Sequence, residues 1–299
     1  MVEIKKRHVG NKDYYYIEHS FREKGKIQKK QKYLGKELPK NIDKIKKEFI
    51  SELYYKKWLT DINIIKRNFS KEQKIMPNSA KEKEKKTFAV KFTYNSQRIE
   101  GSTLTLKETV NLLEKGITPR EKSLDDAKEA ESHEKVFYEI LKYKKNLSWQ
   151  AVLYWHKKLL ENTKKDLAGK IRNHQVAISG SKFMPPFPAE LYALIEEFFS
   201  WYKKNKDKLH PVELAALVHL KFVTIHPFSD GNGRISRMMM NFVLKDNKFP
   251  LLDISYGKRT SYYNALERAQ INKQEGIFLQ WCFKRYIQEY SRYLKEDKQ

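Results

Sequence analysis

The stretch LAALVHLKFVTIHPFSDGNGRISRMMMNFVL, residues 214–244, constrains the fold more than any other. Its first twelve residues carry a single charge, on Lys221. A helix with almost no polar face belongs inside a core. Pro227 cannot continue that helix, so His226 stands at or just past its end. Gly231 and Gly233 then loosen the backbone, and NGRISRMMMNFVLKDN resumes helical spacing. The run therefore predicts a buried helix, a polar loop and a second helix.

Most of the remaining chain also reads as helix. After Pro39, Ile45, Phe49, Ile50, Leu53 and Leu59 recur at helical spacing. KEKEKKTFAVKFTYNSQRIEG continues as another helix with Gly101 as its natural C-cap. Thr105 and Glu108 have capping-box spacing, and their helix stops at Gly116. Ser123 and Ser148 read as N-caps of two more helices. PAELYALIEEFFSWYKKN, SYYNALERAQINK and GIFLQWCFKRYIQEYSRYL complete the helical set. Two segments differ. In residues 1–36, DYYYIEHSF and KIQKKQKYLG are β-prone runs joined by REKGK, with Gly25 at the turn, which predicts a small antiparallel hairpin. The lysines of its second strand fit edge protection, or a basic strand pair for nucleic acid or an acidic partner. Residues 169–188 hold a short β-prone run, Val176 to Ile178, then Gly180 and three prolines, which predicts a hairpin or flap. The expected fold is mainly α: a helical bundle with a β-hairpin flap and a small N-terminal β-hairpin. The expected division is a basic hairpin at 1–38, a helical linker at 39–84, a core at 85–275 and a C-terminal helix at 276–299.

Sixty-one Lys and Arg against 37 Asp and Glu give a net charge of +24, which favours anionic partners. Lysine is spread along the whole chain, so a solvated surface accounts for most of that charge. Cys282 is the only cysteine, which excludes an internal disulfide and a cysteine-based zinc cage. Its apolar helical surroundings predict a buried free thiol. The N-terminus lacks an apolar signal core, and no apolar run approaches the ~18 residues that span a bilayer. The expectation is a cytoplasmic protein with no membrane contact.

The loop concentrates the chemistry. His226 is the residue type suited to proton transfer near neutral pH. Successive N–H groups at Gly231 and Gly233 can form an anion nest, and the following helix adds its positive end. Arg234 and Arg237, three apart, share a helix face and can grip phosphate oxygens. Asp230 is a hard oxygen ligand placed for a Mg²⁺ that bridges phosphates. There is no GxxxxGK[ST], and Ser236 replaces the third glycine of GxGxxG. His219 and His226 lie seven apart on one face, but no third ligand stands at zinc spacing; His219 reads as a core residue or one that orients neighbours.

HPFSDGNGRISR resembles the signature of the Fic (Fic/Doc) family, HPFx[DE]GNGRxxR, with every fixed position matched. TYNSQRIEGSTLTL, the flap and YYNAL extend the resemblance over roughly residues 85–275. It implies a helical bundle with a β-hairpin flap, and transfer of AMP from ATP to the hydroxyl of a protein, with Mg²⁺. By position, His226 would deprotonate a target Ser, Thr or Tyr. Asp230 would bind Mg²⁺, and Gly231, Asn232 and Gly233 would hold the phosphates. Arg234 and Arg237 would steady the β- and γ-phosphates, and Ser236 is counted with the nucleotide-binding residues. The flap maps to 176–183; Val176, Ala177, Ile178 and Ser179 would cover the nucleotide, and the flap's edge would align the target as an added strand. Tyr262 falls where the family has a tyrosine near adenine, and Gln270 where some relatives place an Asn.

SQRIEG, residues 96–101, resembles the family's inhibitory pattern [ST]xxxE[GN]. Ser96 and Glu100 share a helix face, and the resemblance implies that Glu100 reaches Arg237 and leaves ATP in an unproductive pose. It also admits AMP removal by the same glutamate, self-modification and a homodimer. Two other functions stay open: a Fic-fold transferase of another nucleotide or phosphate-containing group, and a basic nucleic-acid-binding regulator that uses residues 1–75.

Overall fold

A computed structural model describes residues 2–23 and 26–295. Gly25, the expected turn residue, lies outside the described residues. The chain divides into two compact units, Met1–Asp61 and Ile62–Gln299.

The first unit holds a three-stranded antiparallel sheet in the order β1 (Val2–Val9), β2 (Lys12–Glu23), β3 (Lys26–Gly35). The expected hairpin is β2 and β3. The additional strand, VEIKKRHV, pairs with β2 from Val2 opposite His19 to Val9 opposite Lys12. Its charged residues hide the alternation that marks a strand. Gly10, at φ 61°, makes the turn between the two. On β2, Glu18 pairs with Lys29 at 2.6 Å and with Lys5 at 3.3 Å, so some of the basic strand residues are spent inside the sheet. Helix α1 (Ile42–Ile75) begins in this unit.

The second unit is helical: α2 (Asn78–Ile99), α3 (Leu106–Lys115), α4 (Leu124–Lys142), α5 (Trp149–Leu160), α6 (Leu191–Asn205), α7 (Pro211–Ile225), α8 (Asn232–Asp246), α9 (Arg259–Ile271), α10 (Glu275–Glu289) and the short α11 (Arg292–Lys295). Local chemistry sets many of the ends. The Thr105–Glu108 capping box is formed at α3, whose C-cap Gly116 is left-handed at φ 67°. Ser123 and Ser148 cap α4 and α5. Pro211 opens α7 at a position where no N–H is needed. Helices α7 and α8 are buried along most of their lengths and form the centre of the core. Phe88, Phe92 and Phe137 join α2 to α4, and Trp155 packs on Phe242 of α8. Among the described residues, no helix is long and apolar enough to cross a membrane.

The flap segment reverses at Ile178–Ser181, where the Ser181 N–H donates to the Ile178 carbonyl at 3.0 Å and Gly180 has φ 74°. No strand ladder forms across it. Pro185 and Pro186 have no N–H to give a ladder. Arg172 also takes two carbonyls, donating to His174 at 3.0 Å and to Pro186 at 2.5 Å. A cationic side chain therefore holds the arms together in place of backbone pairing.

Candidate active site

The loop between α7 and α8 positions His226. Its backbone is left-handed, at φ 51°, as the C-cap of α7. That conformation is uncommon for a residue with a Cβ, and two bonds from Arg172 hold it: Nε donates to the His226 carbonyl at 2.8 Å, and the Arg172 N–H donates to the Pro227 carbonyl at 3.0 Å. The His226 Nδ1–H points at the Val223 carbonyl, 3.2 Å away, which leaves Nε2 as the acceptor. Burial lowers the imidazole pKa, and nearby Arg172 adds to the effect against Val223 and Glu100. The ring is therefore neutral at pH 7.

Asp230 lies across the loop, part-exposed. Burial pushes its carboxyl up, but Arg234 and Lys164 more than offset this and hold it well below the usual carboxylate range. Oδ2 accepts from Lys164 at 2.5 Å. Oδ1 accepts from Arg234 at 2.9 Å and from the Gly231 N–H at 2.5 Å. An ionised carboxylate is a hard oxygen ligand for a divalent cation, which would have to displace Lys164 from Oδ2. Among the described residues no cluster of three or more acidic, His or Cys side chains stands ready for a metal. A Mg²⁺ here would lean on Asp230 together with phosphate oxygens and water.

Gly231, at φ 80°, opens α8. A Cβ there would meet the His156 ring at 3.3 Å. That ring stacks on Phe228, with centroids 3.7 Å apart and planes 5° apart. His156 accepts the Gly169 N–H on Nδ1 and donates from Nε2 to the Asp230 carbonyl at 3.0 Å, which fixes the loop from below. Asn232 spends both ends of its amide on Phe228, accepting its N–H at 2.9 Å and donating to its carbonyl at 2.7 Å. Its side chain locks the loop and leaves phosphate contact to backbone N–H groups. Ser236 is fully buried and bonds back to the Asn232 carbonyl at 2.6 Å, so its hydroxyl faces the helix.

Arg234 and Arg237 are both buried and both paired with protein acids. Arg234 contacts Glu129, Asp230 and Gln97. Arg237 donates to the Ser96 hydroxyl at 2.9 Å, the Ser96 carbonyl at 3.1 Å and Glu100 Oε1 at 2.7 Å. Glu100 does more than pair: a Cβ on Gly233 would come within 2.3 Å of Oε1. The carboxylate sits directly on the opening turn of α8, the place where an anion would bind.

Tyr262 is a core residue. Its ring is 1% exposed, and its hydroxyl meets His219 at 2.8 Å and Arg237 at 3.5 Å, so no face is open to a base. His219 orients Tyr262 and stacks on Phe278, and burial lowers its pKa to about 3. The neighbouring Tyr263 is 43% exposed and donates to the Ile99 carbonyl at the end of α2, at 2.7 Å. Gln270 donates to Thr224 and lines a cavity of about 470 Å³ beside the end of α7. Val176, Ala177 and Ser179 make no backbone-to-backbone hydrogen bond among the described residues, and the tip beyond them is tied to Glu267 of α9 through Ser181 and Lys182. Sequence reasoning missed Glu129, His156, Lys164 and Arg172. The polar residues of GKIRNH and the His inside an apolar helix were the available signals, and neither names its partner.

The Fic/DOC family profile matches residues 146–244. Proteins named protein adenylyltransferase Fic, from Drosophila virilis and Drosophila melanogaster, are each 35% identical over 196 residues, which is 64% of this chain. The chain spans only 40% and 39% of their respective lengths. A crystal structure of a Fic domain containing signaling protein from Bacteroides thetaiotaomicron superposes with a TM-score of 0.68 at 27% identity, over 78% of this chain and 97% of that one. Fic-1 from C. elegans shares the fold, with a TM-score of 0.74 at 24% identity over 87% of this chain and 79% of that one. The profile's segment holds His226, the glycine loop and both buried arginines, and residues 146–244 match the Fic/DOC family.

Proposed function

We propose that this chain is a protein adenylyltransferase that moves AMP from ATP to a Ser, Thr or Tyr hydroxyl, its own included, and that it is held back by Glu100. The observation that carries the reading is the placement of a neutral His226, with Nε2 unused, beside an α8 N-terminus covered by one carboxylate. His226 Nε2 takes the proton of the target hydroxyl as its oxygen attacks the α-phosphorus. A new P–O bond forms, the α–β bridging bond breaks, and pyrophosphate leaves. Backbone N–H groups at the start of α8 hold the phosphates. Arg237 would meet the phosphates once Glu100 yields, and Arg234 would add its charge while still held on Asp230. Mg²⁺ held by Asp230 would neutralise phosphate charge. Val176, Ala177 and Ser179, which make no backbone-to-backbone hydrogen bond among the described residues, suit an added strand from the target. A donor of this kind requires a compartment rich in ATP, and the cytoplasm is the expected one.

Glu100 opposes the reaction by holding Arg237 and by standing against Gly233 on the first turn of α8. The test is incubation with α-labelled ATP and Mg²⁺, read by mass spectrometry of the chain itself and of added proteins. Glu100→Gly should label faster by tenfold or more, where ~1.4 kcal/mol off the barrier corresponds to ~10-fold. Adding His226→Ala should then remove ~10²–10⁴-fold, the usual contribution of a general base. Equal rates for wild type and Glu100→Gly, with nucleotide bound in both, would remove the brake from the account. Labelling from GTP or CTP but not ATP would reassign the donor.

A further inference from the structure

Lys164 follows α5 in a turn closed by its own N–H, which donates to the Leu160 carbonyl at 2.8 Å. From there its ammonium reaches two carboxylates at once: Asp230 Oδ2 at 2.5 Å and Glu129 Oε1 at 3.1 Å. Two acid oxygens converging on one point of positive charge are what a divalent ion would also use. Asp230 Oδ1 is not available, because Arg234 and the Gly231 N–H hold it. The two cations on Asp230 differ in how easily they leave. The Arg234 side chain is 2% exposed and tied on several sides, whereas that of Lys164 is 40% exposed on a flexible stem. The local charges already balance: Glu100, Glu129 and Asp230 face Lys164, Arg234 and Arg237. A divalent cation arriving alone would upset that balance, whereas one arriving with phosphates would not, and the phosphates would give the displaced ammonium a new acceptor.

We propose that Lys164 is an internal competitor for the metal position on Asp230, so that the site takes a divalent cation together with a nucleotide and holds it poorly without one. The proposal rests on the nucleotidyl-transfer reading, but its test needs no turnover. Mn²⁺ binding to the full chain is measured by electron paramagnetic resonance, without nucleotide and then with a non-hydrolysable ATP analogue. Without nucleotide, Lys164→Met should bind Mn²⁺ ~10-fold or more tightly than wild type, a change of ~1.4 kcal/mol in binding free energy. Lys164→Arg should stay near wild type, because it keeps the cation. Lys164→Met with Asp230→Asn should lose the gain. With the analogue present, wild type and Lys164→Met should converge. If Lys164→Met unfolds, Lys164→Gln replaces it. Equal affinity of wild type and the neutral variant for free Mn²⁺ overturns the proposal, as does a gain that survives Asp230→Asn. A chain that binds Mn²⁺ as expected but never labels would leave this proposal standing and remove the transferase reading instead.

Discussion

Glu100 and Gly233 constrain each other. Any side chain at 233 would collide with the Glu100 carboxylate, and that carboxylate occupies the space which the missing side chain leaves. One glycine thus serves both the anion nest and its cover. His226 is a second residue whose conformation has a cost: left-handed backbone on a side-chain-bearing residue stores ~1–3 kcal/mol, and Arg172 holds it there. Its lowered pKa gives a pH dependence with a definite sign. The imidazole must be unprotonated to act, and burial keeps it so to lower pH than a free ring. Labelling by Glu100→Gly should therefore be flat through neutral pH, with its acid limb below the ordinary value of 6.5. Loss of Glu100 moves that limb further down, since its charge favours the protonated ring. A pH–rate profile checks this; a limb above 6.5 would assign proton transfer to another group.

At the scale of elements, α2 must be seated for Glu100 to reach α8. Asn95 does much of the seating, donating to Asp253 at 2.6 Å and accepting the Tyr256 N–H at 2.9 Å. Burial raises the Asp253 carboxyl to about 7, against the pull of Lys91 and Asn95, and its Oδ1 has no partner. The folded chain thus holds a proton that the unfolded chain releases near 4, so the contribution of Asp253 to stability is full below that pH and is lost as pH rises to about 7. Asp253→Asn keeps an acceptor for Asn95 and removes the titration. Its melting temperature should fall less than that of wild type between pH 5.5 and 8.5, with each kcal/mol worth ~2–4 °C in a domain of this size. Thermal melts across that range provide the check, and parallel curves would contradict it. What was legible in the sequence at this scale was local. A capping box, a proline at a helix start and a glycine after a helix end act on their own neighbours, so α3, α7 and α8 could be read directly. The strand VEIKKRHV and the ladder-free flap depend on partners far along the chain. The same holds for Glu129, Lys164 and Arg172, whose roles come from chain segments that only folding brings together. Tyr262 and its neighbour Tyr263 have nearly the same sequence context, and only packing decides which of them is buried.

Across the whole molecule, a charge of +24 coexists with a helical core that takes both motif arginines inside it. Most of the lysines stay on the surface, while Lys164 at the site is held by two acids. The central α7–α8 pair was readable from apolar content alone, whereas the division at Asp61 falls within α1 and leaves no mark in the helical spacing. Cys282 belongs to the same core, packed in α10 at 1% exposure, and burial pushes its thiol up to about 12. The thiolate is the nucleophile that attacks thiol reagents, so the folded chain presents almost nothing that can react. With a single cysteine in the sequence, maleimide or disulfide reagents become a stopwatch for the opening of the core. Labelling should be slow in buffer, should keep pace with exchange of the most protected amide hydrogens, and should accelerate in denaturant along with loss of helical circular dichroism. Rapid labelling in buffer would mean that α10 peels away on its own while the rest of the bundle stays shut.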